Sequence, residues 1–372
     1  MKFSNNKKLG LFSIDPLLFF PAFILTGIGL VMIYSASSST ALKLFRDEYF
    51  YFKHQFAYAG AGMVAMVLGY LVSYRFYRVL VYPLILISVV LLCLVYFPGL
   101  GHTAGGATRW IDLKWFNFQP SVLARFTLIL FMAYSLDKKE ENVERFSIGF
   151  APHVLLASVF TVLIYFEPDF GSIVIFWVLT WIIMFGGRAR ILHLLGTLVP
   201  LVLIGIVLLM TKSYRLTRLF VFLDPWKYPK KAGYQIIHSF MAFGSGGMLG
   251  KGFGLGVQKL FYLPTPHTDF ILSVIAEEGG FVLVFFIILL FLVMLWRGIF
   301  ISISVKETFG ALLAFGIIIS LTLQAVFNMG VVTGLLPTKG LTLPFLSYGG
   351  SALVFDLFCI GILMNISRRN EV

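Results

Sequence analysis

Charge is scarce in this chain: 12% of its 372 residues are Asp, Glu, Lys or Arg, where a soluble domain carries roughly a quarter. Most of the chain therefore cannot face water. Cysteine is nearly absent. Cys93 and Cys359 both sit in apolar runs, which supports neither a disulfide nor a zinc framework. No HExxH occurs, and His102, His153, His238 and His267 are scattered, so a zinc site has no basis. Short alternating segments are missing too, which excludes a membrane β-barrel. Acidic residues number 17 against 29 Lys and Arg, a formal net charge of +12. No basic block is interleaved with aromatics, so nucleic acid is not the partner. Loop cations that set topology and meet anionic lipid explain the excess better. No internal repeat of fixed period and no low-complexity tract is visible.

What the chain has in abundance is apolar sequence, 59% of residues, in runs close to the ~20 residues that cross a bilayer as a helix. The expected class is an all-α polytopic membrane protein in one domain, 1–372. Ten transmembrane helices fall near 17–34, 55–73, 79–97, 121–136, 147–166, 170–187, 191–211, 270–296, 308–335 and 343–366. The basic start with Lys2, Lys7 and Lys8 imitates a signal peptide, but the apolar run is long for one, and the first helix reads as uncleaved. The positive-inside rule puts both termini in the cytoplasm. Arg75, Arg78, Lys138, Lys139, Arg188, Arg190, Arg297, Lys306, Arg368 and Arg369 fall on that same side. One long extracytoplasmic loop, 212–269, joins the seventh and eighth spans.

That loop and its junction hold the chemistry. Gly244–Gly256 (GSGGMLGKGFGLG) invites a phosphate-loop reading, but Gly252 follows Lys251 where a Walker loop needs Ser or Thr. A glycine-rich re-entrant or interfacial segment, packed closely because it lacks side chains, is the preferred reading. Asp269 sits where the loop becomes the next helix, after Pro264 and Pro266. Thr268 or Asp269 could cap that helix, or Asp269 could do acid–base work at the membrane rim. Glu277 and Glu278 follow about 12–14 Å deeper along a helix. They read as counter-ions, with Arg109 or Arg125 as partners. Arg125 lies one to two turns into the fourth span and needs an anion or a wet cavity, unless it snorkels. Arg215 and Arg218 share a face if their segment is helical. Lys339 sits in a tight outward turn, and Asp356 lies inside the last span with no evident partner. A Mg or Mn ion held by carboxylates and a pyrophosphate would leave little trace in sequence.

Read in order, YSASS, GGATRWIDL, FQPS, EPDFGS, RLTRLFVFLDPW, GYQIIHSFMAFGSGGMLGKGFG, QKLFYLPTPHTDFILSVIAEEGG and LPTKGLTLPFLSYGGS resemble the SEDS family (shape, elongation, division, sporulation). The match runs nearly end to end and is more like the division branch than the elongation branch. Three positions depart. The family's QPSE followed by a lysine is replaced by Val122 and Arg125, its LPE before HTDF by Thr265, and its EELG by EEGG.

The resemblance implies a peptidoglycan glycosyltransferase of the bacterial cytoplasmic (inner) membrane. It would polymerise lipid II, a disaccharide peptide on undecaprenyl pyrophosphate, with inversion at the anomeric carbon. Asp269 would be the catalytic base. Arg109, Arg125, Lys339, Arg215 and Arg218 would meet the pyrophosphate. His267, Thr268, Glu277, Glu278, Lys259, Gln119 and Ser347 would support them, and a divalent ion, Mg or Mn, stays open. Implied partners are a class B penicillin-binding protein transpeptidase, other division membrane proteins and membrane lipid. A lipid II flippase, an elongation role and a scaffold for division proteins are the alternatives.

Overall fold

The structure is a computed structural model that describes residues 14–97, 99–104, 107–113, 116–210, 213–230, 233–260, 262–338 and 340–370. Twelve α-helices are described: α1 (Pro16–Phe45), α2 (Phe50–Leu71), α3 (Tyr77–Leu94), α4 (Pro120–Lys138), α5 (Ala151–Phe166), α6 (Phe170–Gly186), α7 (Ile191–Met210), α8 (Ser213–Leu223), α9 (Tyr234–Gly246), α10 (Ile271–Ser304), α11 (Thr308–Val332) and α12 (Gly350–Asn370). Among the described residues, seven apolar segments are long enough to cross a membrane: α1, Tyr74–Leu94, α4, Phe146–Phe166, α10, α11 and Gly350–Arg368; α6 and α7 carry shorter apolar helices.

Two features differ from the sequence reading. Residues 101–118 carry a small antiparallel sheet in the order β1 (Gly101–Ala104), β2 (Ala107–Asp112), β3 (Asn117–Phe118). This is a local device, since Gly101 pairs with Ile111 and Asp112 with Asn117. The stretch 212–269 is not all loop, because α8 and α9 lie within it. α9 buries Ile236, Ile237, Ser239, Ala242 and Gly246, a helical spacing that gives it one packing face.

Packing relies on small residues, as expected where lipid removes the hydrophobic drive between helices. α2 and α12 approach backbone to backbone. A methyl group built on Gly69 would lie 2.6 Å from the Phe358 carbonyl oxygen, and one on Gly361 would lie 2.1 Å from that of Met66. Asn365 fastens the same pair, donating to Tyr70 O at 2.6 Å and accepting from Tyr74 N at 3.0 Å.

One end of the bundle is tied by ion pairs. Arg78 reaches Asp137 at 3.1 Å and Glu307 at 2.6 Å. Asp137 also accepts from Phe309 N, which caps the start of α11. Arg297 pairs with Asp15 at 2.8 Å. The other end holds the sheet, the start of α10 and a broad cavity.

Candidate active site

α10 breaks just inside its first turns. Gly280 has φ 68° and ψ −170°, a region that side chains avoid. The glycine-rich segment fills the break: Phe281 N and Val282 N donate to Gly247 O and Met248 O. The close packing expected of Gly244–Gly256 is present, since methyl groups built on Gly246 and Gly250 would lie 1.9 Å from Ala276 O and 2.1 Å from Glu278 O. Amides in this segment and just after it bind carboxylates of the chain itself. Val257 N and Gln258 N donate to the two oxygens of Glu277, and Gly254 N donates to Glu278 Oε2, each at 3.0 Å.

These glutamates take other partners than the arginines expected for them. Glu277 pairs with Lys251 at 2.8 Å and Glu278 with Lys259 at 2.6 Å, not with Arg109 or Arg125. Ser35 of α1 completes the set, donating to Glu278 Oε2 at 2.7 Å and accepting from Lys259 Nζ at 2.7 Å. Lys259, Glu277 and Glu278 are buried in this knot and do not line the large cavity. They brace the loop that leads to Asp269. Breaking a buried pair leaves a stranded charge, so Lys259→Ala should destabilise the protein by about 3–5 kcal/mol. Lys251→Ala, whose side chain is one-third exposed, should cost less. Thermal unfolding of the two variants in detergent checks the order.

The cavity itself holds about 560 Å³. Arg109, Arg125 and Arg218 line it together with Asp169 and Asp269, and Gln119, His267, Thr268 and Thr265 add to its wall. Lys339 lies outside the described residues. So does the side chain of Arg215; its neighbour Arg218 stands on α8, so the segment is helical as the shared-face argument required. Among the described lining residues the arginines outnumber the acids, which suits an anionic ligand.

Asp269 is not the helix cap. The N-cap of α10 is Phe270, and no side chain caps it. Asp269 instead turns its carboxylate to the cavity. A methyl group built on Gly340 would lie 3.1 Å from Asp269 Oδ2 and 3.5 Å from Arg109 Nη1, so the acid and the guanidinium face one gap. The backbone there is held firmly. Asn328 of α11 donates to Asp269 O at 2.9 Å and Leu341 O at 2.6 Å. Ser347 donates to Thr268 O and accepts from Leu343 N, each at 2.8 Å. Burial raises the Asp269 carboxyl to about 6, with Arg109 opposing and Asp169 adding to the rise.

Arg109, on β2, donates to Pro168 O at 2.7 Å and lies 3.9 Å from Asp169 Oδ1. Asp169 caps α6, accepting from Ser172 N at 3.3 Å and its hydroxyl at 2.7 Å. Glu167, two residues before, is fully buried and both its oxygens lack a hydrogen bond among the described residues. Burial, then repulsion from Asp169, lifts it to about 9. Neither acid was singled out from the sequence, although EPDFGS places two carboxylates around a proline between apolar runs.

Arg125 does reach the cavity, and its partners are now visible. Nη1 donates to Gln324 Oε1, and Nη2 lies 3.7 Å from Asp356 Oδ1. Asp356 therefore has a partner after all. Gln119 precedes α4, and its N–H donates to the Ser351 hydroxyl at 3.1 Å. His267 packs its ring against Tyr51 and Tyr348, with centroids at 4.4 and 5.7 Å. Burial pushes its pKa down to about 4, so at neutral pH it is an uncharged wall. Thr268 donates its hydroxyl to Thr265 O at 2.9 Å. Thr265, one of the departing positions, sits at φ 45°, a strained region for a β-branched residue.

The family described as "Cell cycle protein" (FtsW/RodA/SpoVE) matches residues 16–372. A probable peptidoglycan glycosyltransferase FtsW from Geobacter metallireducens is 45% identical over 95% of this chain and 95% of its own. Stage V sporulation protein E of Bacillus subtilis is 40% identical over 96% and 98%. Among solved structures, one described as "Structural coordination of polymerization and crosslinking by a peptidoglycan synthase complex" aligns with a TM-score of 0.78 at 27% identity, over 96% of this chain and 98% of that one. The rod shape determining protein RodA of Thermus thermophilus aligns at 0.70 with 26% identity, over 97% and 99%. Motif order, fold and these matches agree over nearly the whole chain, and the protein belongs to the FtsW/RodA/SpoVE family of cell cycle proteins.

Proposed function

We propose that this chain is a peptidoglycan glycosyltransferase that polymerises lipid II for septal synthesis. The observation that carries the site is the convergence of one raised carboxylate, Asp269, with Arg109, Arg125 and Arg218 around a single cavity. The acceptor hydroxyl oxygen bonds to the donor's anomeric carbon as the bond from that carbon to the diphosphate oxygen breaks. The hydroxyl proton passes to Asp269, and the diphosphate leaves with the electron pair. A single displacement inverts the anomeric centre. A base with pKa near the working pH suits this step, and fixed cations steady the charge that grows on the departing group.

α1–α7 and α10–α12 supply the ten spans of this reading. The cavity opens to the outer face, with both termini and the Arg78 and Arg297 ion pairs inside, as the loop charges favour. Lys339 and Arg215 belong to the same proposed anion-binding set. A Mg or Mn ion would be carried in by the diphosphate, with Asp169 on the cavity wall available to hold it. Its contribution there would be charge neutralisation. A class B penicillin-binding protein transpeptidase is the proposed partner. A flippase would need charges along a path between leaflets; convergence at one cavity favours the enzyme. The test is to supply lipid II to the purified complex and separate the products. Glycan polymer is expected. Undiminished lipid II under conditions where lipid II flips across vesicles would favour the transporter.

A further inference from the structure

Asp356 stands apart from the proposed chemistry: it sits in α12 and does not line the large cavity. Its side chain is 3% exposed. Oδ1 lies 3.7 Å from Arg125 Nη2, and Oδ2 is buried without a hydrogen bond among the described residues. Arg125 is anchored on its other side by Gln324, whose Nε2 donates to Thr342 O at 2.9 Å and the Thr342 hydroxyl at 3.1 Å. The Arg125 side chain is 13% exposed. It lines both the large cavity and a second void of about 20 Å³, which Asp356 and Cys359 border.

A guanidinium has five N–H donors. Here one nitrogen is directed to a neutral acceptor and one to a carboxylate at the long end of ion-pair distance. The charge is held in place without being fully quenched by a two-point carboxylate grip. We propose that Asp356 is a positioning residue that fixes the Arg125 guanidinium at the cavity floor, aimed at the donor diphosphate. This rests on the function proposed above.

The same void suggests how to separate positioning from bulk stability. Val122 precedes Arg125 by one helical turn on α4, is 8% exposed and lines both spaces. An acid at 122 can reach Arg125 from its own helix, since residues three apart face each other. A carboxylate restored from α4 should therefore stand in for one lost from α12.

The complex with its transpeptidase is assayed with lipid II, and co-purification with the partner reports folding. Asp356→Asn should lower kcat on the order of 10- to 100-fold with KM within about twofold, as for a misplaced group. Asp356→Glu should fall between, and Asp356→Asn with Val122→Glu should recover most of kcat. An Asp356→Asn enzyme with kcat within twofold of wild type overturns the inference. So does a folded double variant no faster than the single one. If Asp356→Asn yields no folded complex, the double variant and Asp356→Glu decide by the same criteria. Absence of polymer from the wild-type complex would instead overturn the proposed function, and this inference with it.

Discussion

Asp269→Asn and Asp269→Ala should each lower the rate of glycan polymerisation by about 10²- to 10⁴-fold, the range expected when a positioned base is removed. Neither variant should unfold. The carboxylate does not cap α10, and the loop is held through its backbone by Asn328 and Ser347. Removing a half-buried carboxylate also relieves a desolvation cost, so thermal stability should stay level or rise. Among the described residues, the nearest candidates to substitute are already engaged. His267 is walled in by Tyr51 and Tyr348, and Asp169 is engaged by Ser172 and faces Arg109. Quantified polymer alongside a thermal melt distinguishes loss of chemistry from loss of fold.

Arg109→Ala should cost about 10²- to 10³-fold in kcat/KM, as for other groups that stabilise developing charge. The residue has two tasks. It presents a cation beside Asp269, and it holds Pro168 O and Asp169 on the far side of the gap. Arg109→Lys keeps the charge but not the planar fork that reaches both partners. It should retain an intermediate activity. Equal rates for Arg109, Lys and Ala enzymes would remove this arginine from the anion site.

Apolar helices were legible because run length is a property of contiguous residues. Six helices, α3–α7 and α11, fall within four residues of the runs expected for them; α2 starts five residues early, α12 starts seven late, α10 runs on to Ser304 against an expected end at 296, and α1 continues to Phe45, beyond the expected end at 34. The place of Asp269 just before α10 was legible for a similar reason, since prolines and a polar turn isolate it at the start of an apolar run. What sequence could not give is pairing across the bundle. Arg125 and Asp356 lie on α4 and α12, and the large cavity brings α4, α6, α11, the start of α12 and the turn before α10 together. The glutamates at 277 and 278 were recognised as counter-ions, but their partners were not. Those come from a loop whose glycines bend to meet them, with φ 78° at Gly250 and 84° at Gly254. The sheet at 101–118 was missed because short hairpins carry little periodicity.

The most direct measurement is the pH dependence of kcat/KM for wild-type enzyme and Arg109→Ala. A base must be ionised to accept a proton. Its folded pKa is raised to about 6, so activity should be flat at neutral pH and fall tenfold per unit well below 6. The nearby guanidinium holds that value down, so its removal should move the acid limb to higher pH. A wild-type profile that stays flat from pH 7 to 5, or an acid limb that does not move in Arg109→Ala, would contradict the role given to Asp269.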